Sequence, residues 1–117
     1  MAKIHNDKYY TPDSVVQKVI KVLEKDVMSI KEFSRIIEPS AGAGAFLKRL
    51  PKSAIGYDIE PQGENIIKGD YLKQNIPYMK NSLVIGNPPF GSAGNLHTEF
   101  IKKSMEHSDY VAFVLPG

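Results

Sequence analysis

Apolar residues recur every three or four positions from Val15 to Val27, at Val15, Val16, Val19, Ile20, Leu23 and Val27. That spacing lines one side of a helix. Just upstream, Thr11-Pro12-Asp13 reads as a helix start. Thr11 can cap, Pro12 fits the first helical position, and Asp13 suits the positive end of the helix dipole. The pattern predicts a helix from about Pro12 to Met28, with Lys18, Lys21 and Lys25 on its solvated side. Residues 1–10 are polar and read as a mobile lead-in ending in Tyr9-Tyr10.

The pattern then changes to five short apolar runs, each closed by a turn signal. They are Arg35-Ile36-Ile37-Glu38, Ala54-Ile55-Gly56-Tyr57-Asp58, Asn65-Ile66-Ile67-Lys68, Ser82-Leu83-Val84-Ile85 and Tyr110-Val111-Ala112-Phe113-Val114. They are nearly continuous rather than alternating, which favours parallel strands covered on both faces. A short helix near Gly44–Leu50 and a longer one near Asn95–His107 fall between them. The longer one carries Phe100, Ile101 and Met105 on one side, and Tyr110–Leu115 reads as core. The predicted fold is α/β: a largely parallel sheet of these five strands with helices on both faces, in a single domain spanning residues 1–117. One link is awkward. Only Ile59 to Glu64 separates the second and third runs, whereas a parallel crossover normally takes about a dozen residues.

Composition narrows the function classes. The 117 residues carry 15 Lys+Arg against 13 Asp+Glu, a net charge of +2, and no Cys. Such a chain can bury a core unaided, and its 42 % apolar content excludes a disordered tail. Without Cys there is neither a disulfide framework nor a thiolate metal site. The start of the chain, Met1–Asp7, has no apolar segment of the secretory kind, so a cytoplasmic location is expected. The longest apolar run, Val111–Leu115, is far short of the roughly 20 residues that cross a bilayer. No membrane association is expected. The weak basic balance is not the footprint of a protein that grips nucleic acid by charge alone. His5, His97 and His107 have no metal-ligand spacing and read as solvated, so no metal is expected. Lys102-Lys103 reads as a solvated helix surface.

Four segments at strand ends carry candidate chemistry. Glu38-Pro39-Ser40-Ala41-Gly42-Ala43-Gly44 follows the first run. Its two glycines let the backbone turn sharply and approach a ligand closely, at the sheet edge where such folds bind. The pattern alone also fits an ordinary strand–helix turn. The dinucleotide fingerprint is imperfect because Leu47 holds the third glycine position, and the phosphate-loop pattern fails. Asp58 closes the second run, where a carboxylate can accept from both ribose hydroxyls, or else serve a surface turn. Gly69-Asp70-Tyr71-Leu72 closes the third. There Asp70 can accept from an adenine amino group with Tyr71 or Leu72 beside the ring, although a plain loop fits equally. Asn87-Pro88-Pro89-Phe90, at the exit of the fourth run, is the most telling. Two prolines fix φ twice and remove two N–H donors, leaving a rigid row of carbonyls beside an amide and an aromatic ring.

Together these segments resemble the adenine-N6 class of S-adenosylmethionine-dependent methyltransferases. The resemblance rests on Tyr9-Tyr10-Thr11-Pro12, Glu38–Gly44, Gly56-Tyr57-Asp58-Ile59-Glu60-Pro61, Gly69-Asp70-Tyr71 and Asn87-Pro88-Pro89-Phe90. It spans Tyr9 to Leu115. The order of the motifs is similar to that of the gamma subgroup of DNA amino-methyltransferases, many of which serve restriction–modification.

The resemblance implies S-adenosylmethionine as cofactor and adenine in DNA as target. It implies that Tyr10, Thr11 and Pro12 lie over the methionine end of the cofactor. Glu38, Pro39, Ser40, Ala41, Gly42 and Gly44 would line its loop. Asp58 would hold the ribose, Ile59 would lie against the adenine, and Asp70, Tyr71 and Leu72 would surround its amino edge. Asn87 would also border the cofactor. With the carbonyl of Pro88 it would accept hydrogens from the target amino group, while Pro89 stiffens the turn and Phe90 stacks on the target base.

The chemistry fits those roles. The exocyclic nitrogen of adenine is a poor nucleophile because its lone pair is delocalised into the ring. Two acceptors on its hydrogens favour the geometry that frees the pair, and they match the positive charge that develops on nitrogen. Displacement at a sulfonium methyl is then largely a matter of positioning. A paired base cannot reach such a pocket, so the target must be flipped or unpaired.

Enzymes of this class have a seven-stranded sheet, so the resemblance also implies that the last strands and a target recognition domain are missing here. Either the chain is a catalytic fragment of such an enzyme, or a partner subunit or a homodimer completes the sheet. Two other readings stay open. The acceptor can be adenine in RNA or a protein glutamine, although Phe rather than Tyr leans toward DNA. Alternatively the chain is a non-catalytic cofactor-binding remnant.

Overall fold

The computed structural model describes residues 10–91 and 95–115. Tyr9, His5 and the rest of the polar lead-in before Tyr10 lie outside them. Helix α1 runs Asp13–Asp26 and strand β1 Ile36–Glu38. Strands β2 (Ile55–Asp58), β3 (Ile66–Lys68) and β4 (Leu83–Gly86) follow, then helix α2 (Leu96–His107) and strand β5 (Tyr110–Phe113). The five strands form one sheet in the order β3-β2-β1-β4-β5, and every pairing is parallel. This is a Rossmann-like α/β fold. The chain steps outward from β1 to β2 and β3, then returns to the other side of β1 as β4. The direction of winding therefore reverses between β1 and β4. In open parallel sheets that reversal leaves a crevice beyond the carboxyl ends of the strands, which is where ligands bind.

Alternate residues of the central strands serve opposite faces. Ile36, Leu83 and Ile85 pack with Val16 and Leu23 of α1, with Phe46 and Leu50, and with Ile30 and Phe33. On the other face Ile37 packs with Tyr71 and with Phe100 of α2. All four residues of β4 are buried, which explains the uninterrupted apolar run that marked it. Register places Glu38 opposite Gly56 and Asp58 opposite Lys68, so the acidic ends of β1 and β2 reach the same sheet edge.

Several sequence expectations are corrected. Pro12, not Thr11, occupies the N-cap of α1. No side chain caps it, and the Pro12 carbonyl accepts the first N–H groups, from Val15 and Val16. The helix expected near Gly44–Leu50 is a single 3₁₀ turn, Leu47–Arg49. Gly42 and Gly44, at φ +57° and +89°, keep the chain out of a helix before that turn. Pro51 pushes Leu50 into an extended conformation after it. The awkward link between β2 and β3 carries no helix and turns through Asn65 at φ +61°. β3 is correspondingly only three residues long.

On α2 the buried side is Phe100, Ser104 and His107, whereas Met105 is 67 % exposed. The i, i+4, i+7 line runs through a serine and a histidine that apolar counting passes over. β5 is an edge strand and only partly buried: Tyr110, Ala112 and Val114 pack against the α1-side core and Phe113 against the other, while Leu115 is exposed, so Tyr110–Leu115 flanks the core rather than forming its centre. Among the described residues no helix is long and apolar enough to cross a membrane.

Leu83 has no exposed surface and sits in the middle of the α1-side core. Leu83→Ala is expected to lower unfolding stability by about 2–5 kcal/mol. The check is a urea titration, in which the midpoint should fall with the slope unchanged.

Candidate functional site

A cavity of about 380 Å³ opens at the crevice beyond β1, β2 and β4. Its size lies within the range of small-molecule sites. Tyr10, Thr11, Glu38, Pro39, Ser40, Ala41, Gly42, Asp58, Ile59, Asp70, Tyr71, Asn87 and Pro89 all line it. Pro12, Gly44, Leu72, Pro88 and Phe90 do not. Pro12 starts α1, Gly44 closes the turn onto the Ala41 carbonyl, and Pro88 is fully buried. Leu72 packs beside Tyr71 and Phe100.

The walls are fixed by named bonds. Gly42 N–H donates to Asp58 Oδ2 and Glu60 N–H to Asp58 Oδ1, both at 2.8 Å. Two stretches of backbone are thereby tied to the end of β2. The left-handed φ of Gly42 turns its N–H toward that carboxylate, a conformation L side chains rarely adopt. Ala41 N–H donates to the Tyr57 carbonyl and Gln62 N–H to the Gly42 carbonyl. A Cβ on Gly56 would lie 2.6 Å from Leu47 Cδ1 and 3.1 Å from Ala41 Cβ, so the glycine lets the loop settle on β2. Tyr10 is largely exposed, but its hydroxyl donates to Gln62 Oε1 at 2.8 Å. At the far wall Asp70 Oδ1 accepts from Leu72 N–H at 3.0 Å.

Asn87 is joined to this loop from both ends. Its Nδ2 donates to Thr11 Oγ1 at 3.3 Å, and its backbone carbonyl accepts from Ser40 Oγ at 2.9 Å. The hydroxyl expected to cap α1 is therefore engaged by Asn87 instead. The acceptor end of the amide, Oδ1, takes no part in that bond. Phe90 lies just outside the cavity with its ring stacked on His97, centroids 4.4 Å apart and planes 24° apart.

Among the described residues four acidic side chains, Glu38, Asp58, Glu60 and Asp70, line the cavity against one cation, Lys48. Glu38 is 2 % exposed, and its Oε1 is buried without a hydrogen-bond partner among the described residues. Burial pushes its pKa up to about 9, helped by the charge of Asp58 and only partly opposed by the Leu47 backbone N–H. At neutral pH the group is a neutral acid facing a negative neighbourhood. Among the described residues no group of His, Cys, Asp or Glu is placed to hold a metal ion.

Tyr71 forms the floor. Its ring meets Phe100 and Tyr57, and its hydroxyl bonds Ser104 Oγ at 2.9 Å and His107 Nε2 at 2.5 Å. Burial drives the Tyr71 pKa up to about 12. His107 is not solvated as expected but 1 % exposed, with its carbonyl bonded by Arg35 at 2.7 Å. Burial lowers its pKa to about 4, reinforced by the Arg35 and Lys103 charges. His97 is half-buried rather than solvated, and its Nδ1 has no partner among the described residues.

Sequence reasoning passed over Ala43, Ala45, Lys48, Glu60, Gln62, Gly69, Leu96 and Phe100 as cavity residues. Ala43, Glu60 and Gly69 lie within quoted motifs that give them no role. Gln62 had a usable signal in Pro61 and Gly63, which flank it in a turn. No protein-family model matches the chain, and no curated protein or solved structure matches it either.

Glu38 sets a pH dependence of stability. Its pKa is higher folded than unfolded, so the folded state holds the proton between about 4.5 and 9 while the unfolded state loses it. The contribution is full below pH 4.5 and disappears as pH rises toward 9. The limiting slope is about 1.4 kcal/mol per pH unit. Glu38→Gln should match the wild type near pH 4 and be the more stable protein at pH 8, as read by urea unfolding across that range.

Proposed function

We propose that the chain transfers a methyl group from S-adenosylmethionine to the exocyclic amino group of an unpaired or flipped adenine in DNA, in the cytoplasm and in a restriction–modification setting. The observation that carries this reading is the union of two features in one cavity. The Asn87 amide lies at the same opening as a glycine loop and the buried Glu38 carboxyl, whose Oε1 has no partner among the described residues. The residues present fit the cofactor. A sulfonium and an ammonium are cations, and the lining is acidic. A donor or cation brought to Glu38 Oε1 would offset the desolvation that keeps Glu38 protonated. When bound, the cofactor would supply a methyl group activated by sulfonium.

The chain's own residues have the remaining roles. Thr11 orients the Asn87 amide by accepting from Nδ2, which leaves Oδ1 to accept from the target nitrogen. Ser40 holds the Asn87 carbonyl, so the loop around the cofactor and the acceptor turn share one support. Pro88 and Pro89 keep that turn rigid, and Phe90 offers a ring to the target base, where stacking is worth about 1–3 kcal/mol. The backbone edge of β5 is the place where a strand from a partner or a second copy would add.

Asn87→Ala is expected to reduce methyl transfer by about 10²–10³-fold, the scale of losing one preorganised polar partner of a transition state. Cofactor affinity should stay within a few-fold. Asp58→Ala should abolish the heat of cofactor binding, because two backbone donors lose their acceptor. Label from methyl-tritiated cofactor, counted in DNA, RNA and protein, tests the acceptor. Label in RNA or protein alone would replace DNA as the target. Binding of cofactor with no transfer to any acceptor would leave a binding module.

A further inference from the structure

The stacked pair of Phe90 and His97 is outside the cavity wall, and nothing above gives His97 a role. His97 lies in the first turn of α2, with its imidazole nearly parallel to the Phe90 ring at 4.4 Å. A flat, nitrogen-bearing ring on a phenyl face makes the same contact as a stacked nucleobase. Two rings cannot use that one surface together. At that position its Nδ1 is buried with no hydrogen-bond partner among the described residues, although the side chain as a whole is only half-buried. Turning outward would hydrate that nitrogen, so water competes with the stack.

We propose that His97 is a positioning residue that occupies the Phe90 ring face in the free protein and yields it to the target base. The inference rests on the methyltransferase reading above and assigns to the same site a residue that sets its affinity for the target base. Adenine and cytosine both carry a conjugated exocyclic amino group, so acceptors around Asn87 do not distinguish them by that group alone. A larger purine ring stacks more strongly than a single pyrimidine ring and displaces the imidazole more readily. The imidazole imposes the same cost on either base, so the preference for adenine comes from the stronger stacking of its own ring and not from the competition.

The test uses oligonucleotides carrying one unpaired adenine or one unpaired cytosine. With methyl-tritiated cofactor, His97→Ala should lower the KM for the adenine oligonucleotide about fivefold, with kcat within twofold, because the occupied fraction no longer reduces apparent affinity. His97→Phe, which stacks without an orphaned nitrogen, should raise KM above the wild type. That order, Ala below His below Phe, is not what a merely structural role gives. A KM that is unchanged or raised in His97→Ala would overturn the proposal, and so would a fall in kcat. A second readout needs no turnover. In nuclear magnetic resonance spectra the His97 ring protons should be shifted by the Phe90 ring current in the free protein. That shift should vanish at saturating adenine oligonucleotide and persist more with cytosine. Retention of the shift with adenine bound would overturn this inference alone, whereas absence of methyl transfer by the wild-type protein would overturn the methyltransferase reading.

Discussion

The Asp58 carboxylate holds the cavity together. It sits at the end of β2, 5 % exposed, and accepts one backbone N–H from each of two separate loops. Hydrogen bonds to a carboxylate contribute about 1.5–3 kcal/mol each, more than neutral ones. The glycine loop reaches it only because Gly42 adopts a left-handed φ, and the link to β3 reaches it through Glu60. Those two loops then meet directly, where a Cβ on Gly63 would strike the Ala43 carbonyl at 2.7 Å. The shape of the opening follows from satisfying one buried acidic group. Whatever ligand role Asp58 has is added to that structural one.

Glu38 shows the opposite treatment of a carboxyl group one strand away. It lies deeper, has one oxygen without a donor, and is held as a neutral acid by desolvation. A buried polar atom without a partner costs about 1–3 kcal/mol, and a fold keeps such a group where something else benefits. The crevice therefore contains one carboxylate that builds the walls and one carboxyl in want of a donor. That pairing is a stronger indication of a cationic ligand than the glycine motif alone.

Much of this was legible in the sequence. β4 stood out because Leu83, Val84 and Ile85 are buried on both faces, which leaves no polar interruption. The strand-end residues Glu38, Asp58 and Asn87 could be placed because a parallel sheet brings every carboxyl end to one edge. Other features depend on tertiary partners that no local pattern encodes. His107 looks like a surface residue until Tyr71 and Arg35 arrive from distant segments to bond it. Thr11 satisfies the rule for a helix cap, yet its hydroxyl is engaged from across the site by Asn87. The segment Gly44–Leu50 falls between two strands where a helix is expected, but the conformations of Gly42, Gly44 and Leu50 limit it at both ends to the 3₁₀ turn Leu47–Arg49.

The link between β2 and β3 has a consequence for how the molecule assembles. Closing a loop as short as Ile59 to Asn65 loses little chain entropy, whereas pairing β1 with β4 joins segments far apart in the sequence. The outer strand can therefore dock on β2 as a nearly local event, before the central register exists. The glycine loop, which leans on that same link through Gln62 and Gly63, would then find its support already in place. On that route the rim of the crevice is laid down early, and the strand that completes the crevice is added to it.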